Sequence, residues 1–323
     1  MISTRMKHKS LIIGSALILM TLSSCSLIRN QALKTTSELA LQSQMSLNQE
    51  SSFESFKSAA IPNLAFLAGL LESDRGNKNL LTLLIKGHAG VAYGVYETQG
   101  LEAQLLEQKN DKNLKQAEIH YTKAYDYGLM YLASLDLELA NLSSDGVLEG
   151  RIGEEDHLAL FYLGYSMGGL FNLDRSNIKL LGLLAKAERL IHFVCKKRGP
   201  EFEQGSCGML EAGLLASKPA MLGGDIEKAR AMFKDLMKEI PLNALLVLNY
   251  MQYVLIPMFE DEEYAQLVEK LEKQKKLFNR EQSLLTRSST KLISAEVTQF
   301  NLYNSIAFKR LKVFTALKKQ IFD

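Results

Sequence analysis

From Pro62 to the C-terminus, apolar residues recur at steps of three and four and show no sustained two-residue alternation, so the chain has helices to pack and no sheet to build. The stretch "GGDIEKARAMFKDLMKEIP" carries the clearest signals. Gly223 and Gly224 break the chain, Asp225 can cap, Pro241 follows the end, and Ile226, Ala229, Phe233, Leu236 and Ile240 form one apolar face. The five prolines (Pro62, Pro200, Pro219, Pro241 and Pro257) are all read as helix ends or loops. The pattern predicts an all-α fold with helices near 61–73, 79–98, 113–137, 156–170, 178–197, 207–217, 225–239, 243–258, 262–279 and 290–319. Acidic residues Glu260 to Glu263 open one of these and Lys273, Lys275 and Lys276 gather near its end, which suits the helix macrodipole and reads as a solvated face.

Some of these helices carry half-motifs of the tetratricopeptide repeat. Ala229-x3-Phe233 with Leu236 and Pro241 has the second half of that pattern, and so has Ala117-x3-Tyr121-x2-Ala124. Leu160-x2-Leu163-Gly164-x2-Met167 has the first half. No segment carries both halves, so the repeats are degenerate. The expected architecture is a stack of tetratricopeptide-like helical hairpins, an α-solenoid or helical-repeat domain over 56–323, with a concave face for binding and the option of a homo-oligomer.

The N-terminus reads differently. Arg5, Lys7 and Lys9 precede the apolar stretch "LIIGSALILMTL", which is too short to span a bilayer comfortably, and Leu22-Ser23-Ser24-Cys25 resembles a bacterial lipobox. Residues 1–24 are expected to be a lipoprotein signal peptide, with cleavage before Cys25 and acylation of its thiol and amine. The Ser/Gln/Asn-rich segment 25–55 is then a lipidated tether, and several acyl chains hold a protein stably at a membrane. Serine rather than aspartate at position 26 points to the outer membrane rather than the inner, by the sorting rule of enteric bacteria. Removing residues 1–24 lowers the basic count from 38 to 35 against 36 acids, so the mature chain is near neutral. With no basic stripe interleaved with aromatics, nothing points to nucleic acid.

One string invites an enzymatic reading. Gly164-Tyr165-Ser166-Met167-Gly168 is G-x-S-x-G, the nucleophile elbow of α/β-hydrolases. The only histidine after it is His192, 26 residues on and itself in a helical run, which leaves no room for the intervening strand–helix units. Ser166 is therefore read as inert and Gly164 as the small residue where two helices cross, with Gly168 and Gly169 serving the helix end. No catalytic residue, cofactor or metal is assigned. A zinc site from His192, Cys195 and Cys207 lacks a fourth ligand. In an exported protein Cys195 and Cys207 either pair across "KKRGPEFEQGS" or stay as buried thiols. Tyr93, Tyr96, Tyr121, Tyr125, Tyr162 and Tyr165 are candidates to line a groove, with ordinary packing as the alternative for each, so no ligand site is assigned.

The succession "AAIPNLAFLAGLLESDRGNKNLLTLLIKGHAGVAYG", "QAEIHYTKAYDYGLMYL", "LALFYLGYSMGGLFNL" and "SKPAMLGGDIEKARAMFKDLMKE" resembles the TatT family, the lipoprotein T components associated with TRAP-type transporters. "LYNSIAFKRLKVF" is similar to the family's closing helix, so the resemblance spans roughly 55–320. It implies a periplasmic helical protein with cryptic tetratricopeptide repeats. It also implies a partner, the periplasmic substrate-binding (P) component of the transporter. The reading that follows is a binding protein that docks this partner and passes it a small apolar ligand. The alternative is a structural adaptor lipoprotein in an envelope complex. Two features depart from the family pattern: the chain has no tryptophan, and the acidic pair before "AAIP" is reduced to Glu54. Where tryptophan lines a ligand tunnel in relatives, the ligand here differs or is absent.

Overall fold

Asparagine and aspartate caps punctuate the chain into helices. Asn77, Asp111, Asn177, Asp225 and Asn243 each accept a hydrogen bond from a backbone N–H in the first turn that follows, satisfying donors the helix cannot pair itself. The structure, a computed structural model, describes residues 31–108, 110–143, 145–285 and 298–322, and every regular element among them is helical. The signal segment 1–24 and Cys25 lie outside the described residues.

The helices are α1 (31–42), α2 (Gln44–Leu47), α3 (Phe53–Leu71), α4 (Lys78–Val91), α5 (Leu101–Leu105), α6 (Lys112–Ala133), α7 (Asp145–Arg151), α8 (His157–Leu173), α9 (Ile178–Arg198), α10 (Phe202–Ser217), α11 (Ile226–Glu239), α12 (Ala244–Tyr250), α13 (Asp261–Leu285) and α14 (Asn301–Phe322). Helices α4 and α6, α8 and α9, and α10 and α11 pack as the main pairs, and α14 packs against α12 and α13. The half-motif residues Ala117, Tyr121, Ala124, Leu160, Leu163, Met167, Ala229, Phe233 and Leu236 are buried, while Pro241 is exposed. The all-α helical-repeat expectation holds.

Several boundaries differ from those expected. Helix α3 begins at Phe53 and runs through Pro62 rather than starting beside it. A proline frees the carbonyl four residues earlier, and here Pro62 and Ser58 are both exposed, so water can take that group. The helices expected at 79–98 and 243–258 each end in a π-helical turn, Ala92–Glu97 after α4 and Met251–Leu255 after α12. Helix α8 continues to Leu173, so Gly168 and Gly169 lie inside it and do not serve its end. Of the closing helix expected from 290, residues 290–297 fall outside the described residues and α14 is seen from Asn301. Residues 31–50, part of the segment expected as a tether, are folded against the body. Leu33 and Ser37 are buried, the Leu302 N–H donates to the Asn48 carbonyl at 2.9 Å, and Asn301 Nδ2 donates to the Gln49 carbonyl at 3.1 Å.

Two hydrophobic cores result. One joins α4, α6, α8 and α9 through residues such as Leu84, Ile85, Phe161, Leu163, Leu190 and Val194. The other joins α10 to α14 through Phe233, Leu246, Met251, Tyr264 and Phe314.

Gly164 is where α8 meets α9. A Cβ there would lie 2.9 Å from Ile191 Cγ1 and 3.1 Å from the Ala187 carbonyl oxygen, and that backbone cannot step aside. Ser166, fully buried two residues on, donates through Oγ to the Leu163 carbonyl of its own helix at 2.8 Å. We predict that Gly164→Leu costs about 1–3 kcal/mol or more, whereas Ser166→Ala costs under about 1 kcal/mol. Chemical-denaturation curves check both, and equal effects of the two changes would contradict the close crossing.

Between α4 and α6, the Nδ1 atoms of His88 and His120 lie 2.9 Å apart, both side chains buried. One ring must donate and the other accept, so the accepting ring is neutral, and burial disfavours charge on either. Burial, and for His88 the neighbouring His120, pushes His88 down to about 3; burial and Lys123 push His120 down to about 4. Below pH 6.5 the unfolded chain therefore binds protons that the folded one refuses, and stability falls as pH drops from 6.5 toward 4. Replacing both histidines by glutamine should make the melting temperature less dependent on pH across that window. An unchanged dependence would show that the pair does not titrate this way.

Candidate functional site

The two cores do not close on each other. Between them lies a cavity of about 530 Å³, within the size range of small-molecule sites, walled by Leu64, Leu83 and Val91 of one core and Met209, Leu245 and Ile306 of the other. It runs beside α4, α8 and α10. At one end Tyr162, Ser206, Tyr303 and Lys86 meet. Toward the other stand Glu97, Tyr253 and Arg175, with Tyr165 between the two groups, its ring 5.9 Å from that of Tyr162. From Tyr162 to Asn172, both on its wall, α8 rises about 15 Å, so the cavity is elongated.

Its width comes from glycine. Gly87, Gly90 and Gly94 fall on one face of α4 and its continuation, and Gly168 faces them from α8. A Cβ at Gly87 would collide with the Leu64 side chain at 2.5 Å, and one at Gly94 would press on Ile306 and Phe56. At Gly90 and Gly168 a Cβ would meet nothing within 4 Å. Glycine inside a helix costs about 0.5–1 kcal/mol relative to alanine. At these two positions no packing neighbour explains that cost; what the missing side chain leaves is the bore itself.

The π-helical turns set the polar end. The wider turn Ala92–Glu97 puts Tyr93, Gly94 and Glu97 on the cavity wall, and Met251–Leu255 puts Tyr253 opposite. Glu97 is buried: its Oε1 accepts from the Tyr121 hydroxyl at 2.5 Å, and Gln104 Nε2 reaches Oε2 at 3.5 Å. Burial raises the Glu97 carboxyl above its ordinary value, against the opposing effects of Tyr121 and Arg310. Behind it, buried Arg310 lays its guanidinium 4.7 Å over the Tyr93 ring and donates to Gln252 Oε1 at 2.9 Å, without a direct ion pair. The Tyr165 and Tyr253 hydroxyls make no hydrogen bond to the described residues, and burial raises both phenols.

The opposite end is satisfied from within. Glu203 Oε2 accepts from Lys86 Nζ at 2.6 Å and from the Tyr162 hydroxyl at 2.7 Å, while the Tyr303 hydroxyl donates to the Glu203 carbonyl at 3.1 Å. Glu203, Gln204 and Gly205 all have left-handed backbone, with φ of 53°, 56° and 90°. For the first two this costs about 1–2 kcal/mol each. The turn is held by Asn243 Nδ2 on the Gln204 carbonyl, Asn48 Nδ2 on Gln204 Oε1, and the Cys195–Cys207 bridge, whose Cα atoms are 5.4 Å apart. The buried Gln44 amide, also on the cavity wall, is the exception: neither of its polar atoms has a hydrogen-bond partner among the described residues.

Of the tyrosines read from the sequence, Tyr93, Tyr121, Tyr162 and Tyr165 line the cavity. Tyr96 and Tyr125 instead pack against the first core. His192 points to Glu211 at 3.0 Å on the surface, away from Ser166, and Ser166 sits mid-helix with no elbow beneath it. Sequence reasoning missed Glu97, Arg310, Tyr253, Tyr303 and the glycine wall. The readable signal was the spacing of Gly87, Gly90 and Gly94 in "KGHAGVAYG", one helical face without side chains. Among the described residues no group of three or more metal-ligating side chains comes together, and no helix is long and apolar enough to cross a membrane. The arrangement is one that encloses a molecule.

We predict that Gly90→Met fills the bore without harming the fold. Its melting temperature should match or exceed the parent's, since methionine favours helix over glycine by about 0.5–1 kcal/mol, while fluorescence of the neutral dye Nile red bound to the protein falls several-fold. A methionine that destabilises the protein as an overpacked core residue would, would show that no open space lies there.

A family model described as TAtT, TRAP transporter T-component, matches residues 53–286, well over half of the chain. No curated protein matches it.

Proposed function

We propose that this chain, which belongs to the TRAP transporter T-component family, docks the transporter's periplasmic substrate-binding component and holds a small ligand with an apolar body in the bore between its two cores. Membership makes it a TRAP-associated component of the cell envelope. On this proposal the lipid anchor at Cys25 holds the protein at the outer membrane.

The observation that carries the ligand is the glycine-lined bore. A purely structural adaptor gains nothing from helix-interior glycines at positions 90 and 168 that face empty space. The reading is non-catalytic. The Ser166 hydroxyl is spent on its own helix carbonyl, and no base reaches it, so the activated-nucleophile geometry is missing. Anchoring through Cys25 would hold the bore, and a docked partner, at the membrane surface.

One fractionation experiment tests anchor and docking together. In cells producing the wild-type protein, the substrate-binding component should co-purify with it from the membrane fraction. With Cys25→Ala the two should still co-purify, but from the soluble periplasm. Failure to co-purify in either case contradicts docking, and a Cys25→Ala protein that stays with the membrane contradicts the anchor.

A further inference from the structure

The two ends of the bore are chemically unlike, and the difference identifies a ligand class. At the Lys86 end each charge has its partner: Lys86 is on Glu203, and Tyr162 and Tyr303 spend their hydroxyls on the same residue. At the tyrosine end the groups are not spent. Among the described residues the hydroxyls of Tyr165 and Tyr253 have no acceptor. Arg175, an exposed residue at the mouth, is bonded among the described residues to the Asn172 side-chain oxygen, a neutral group. Its charge, like that of Arg310, bears on both Glu97 and Tyr253. Two guanidinium groups thus act on Glu97, and that carboxyl already accepts from Tyr121; Glu50 is a second carboxyl on the wall, accepting from the Ser52 N–H.

Lys218, also on the wall, is paired with Glu188 at 2.8 Å and does not change this balance. The end therefore offers two phenol donors inside the bore, where an unmet donor is costly, and a positive charge without an ion-pair partner among the described residues at its exposed mouth. An alcohol would engage the donors and leave the charge unmet. A cationic head would add to that charge.

We propose that the tyrosine end of the bore is a head-group site for a single-chain amphiphile bearing one carboxylate. Tyr165 and Tyr253 donate to its oxygens, Arg175 at the rim balances its charge, and its chain lies past Gly168 and Gly90 between the two cores. This rests on the cavity-binding reading above. The apolar middle of the bore supplies affinity at about 0.8 kcal/mol per buried methylene, and the head site supplies orientation and selectivity.

Three probes with one tail separate the contributions: dodecanoate, dodecanol and dodecyltrimethylammonium, each titrated into the purified protein by calorimetry below its micellar concentration. Dodecanoate should bind at least tenfold more tightly than either of the others. Arg175→Gln, and the double change Tyr165→Phe with Tyr253→Phe, should each erase most of that preference, and Arg175→Gln should leave dodecanol binding within about twofold. The tyrosine changes keep the rings packed against the cores and Arg175 is exposed, so melting curves should be unaltered. If dodecanol or the ammonium compound binds as well as dodecanoate, and Gly90→Met blocks all three, the cavity reading stands and the head-group assignment is overturned. A dodecanoate preference that survives all three substitutions also overturns it. If none of the probes binds the wild-type protein, both readings fail.

Discussion

The structure depends on a seam where two hydrophobic cores face each other without merging. Burial of apolar surface drives each core separately, and ordinary side chains along the seam would fuse them into one. Helix α4 and the π-helical turn that continues it prevent this by presenting Gly87, Gly90 and Gly94, and α8 answers with Gly168. Where neighbouring helices come close, at Gly87 and Gly94, the missing Cβ admits Leu64, Ile306 and Phe56. Between those contacts it admits nothing, and the seam stays open. The same economy appears on the other side of α8, where Gly164 lets α9 approach to backbone contact. One helix therefore uses glycine in two opposite ways, to close one interface and to hold another apart.

The ends of the seam follow from what an open, low-dielectric space demands of polar groups. At the Lys86 end, ion pair, phenols and backbone carbonyl saturate each other, and the left-handed turn Glu203–Gly205 is the geometry that delivers Glu203 to Lys86. Strain of that kind persists only where the surroundings over-determine it. Here they do, through Asn243, Asn48 and the Cys195–Cys207 bridge. Asn48 belongs to the N-terminal segment, so the stretch leading back toward Cys25 is part of the wall around the bore as well as a connector. At the tyrosine end the widened π-helical turns bring in more side chains than the end can pair among themselves.

Much of the fold was legible in the sequence because its signals are local. The apolar face of α11, its Asp225 cap and its Pro241 stop need only neighbouring residues, and the alanine, aromatic, leucine and methionine positions of the half-motifs are buried. The site was legible only in part. Tyrosines 93, 121, 162 and 165 stood out by type, but nothing local distinguishes them from Tyr96 and Tyr125, which are packed in the first core. Arg310 reads as one more basic residue of an amphipathic helix, and its burial over Tyr93 depends on a contact more than two hundred residues away in the chain. The π-helical turns are invisible for a different reason: their sequences continue the helical period, and the extra residue per turn is set by packing. Pro62 misled because a proline is tolerated inside α3 where the freed carbonyl faces water.

The central claim is that the seam is an occupied or occupiable bore, kept open by design of the helix faces. A high-resolution crystal structure of the protein purified without delipidation tests it most directly. The account predicts an open channel between Gly90 and Gly168 containing elongated density, with its polar end against Tyr165 and Tyr253. A seam closed by Met209, Tyr253 and the neighbouring leucines, with the two cores in van der Waals contact along its length, would contradict it.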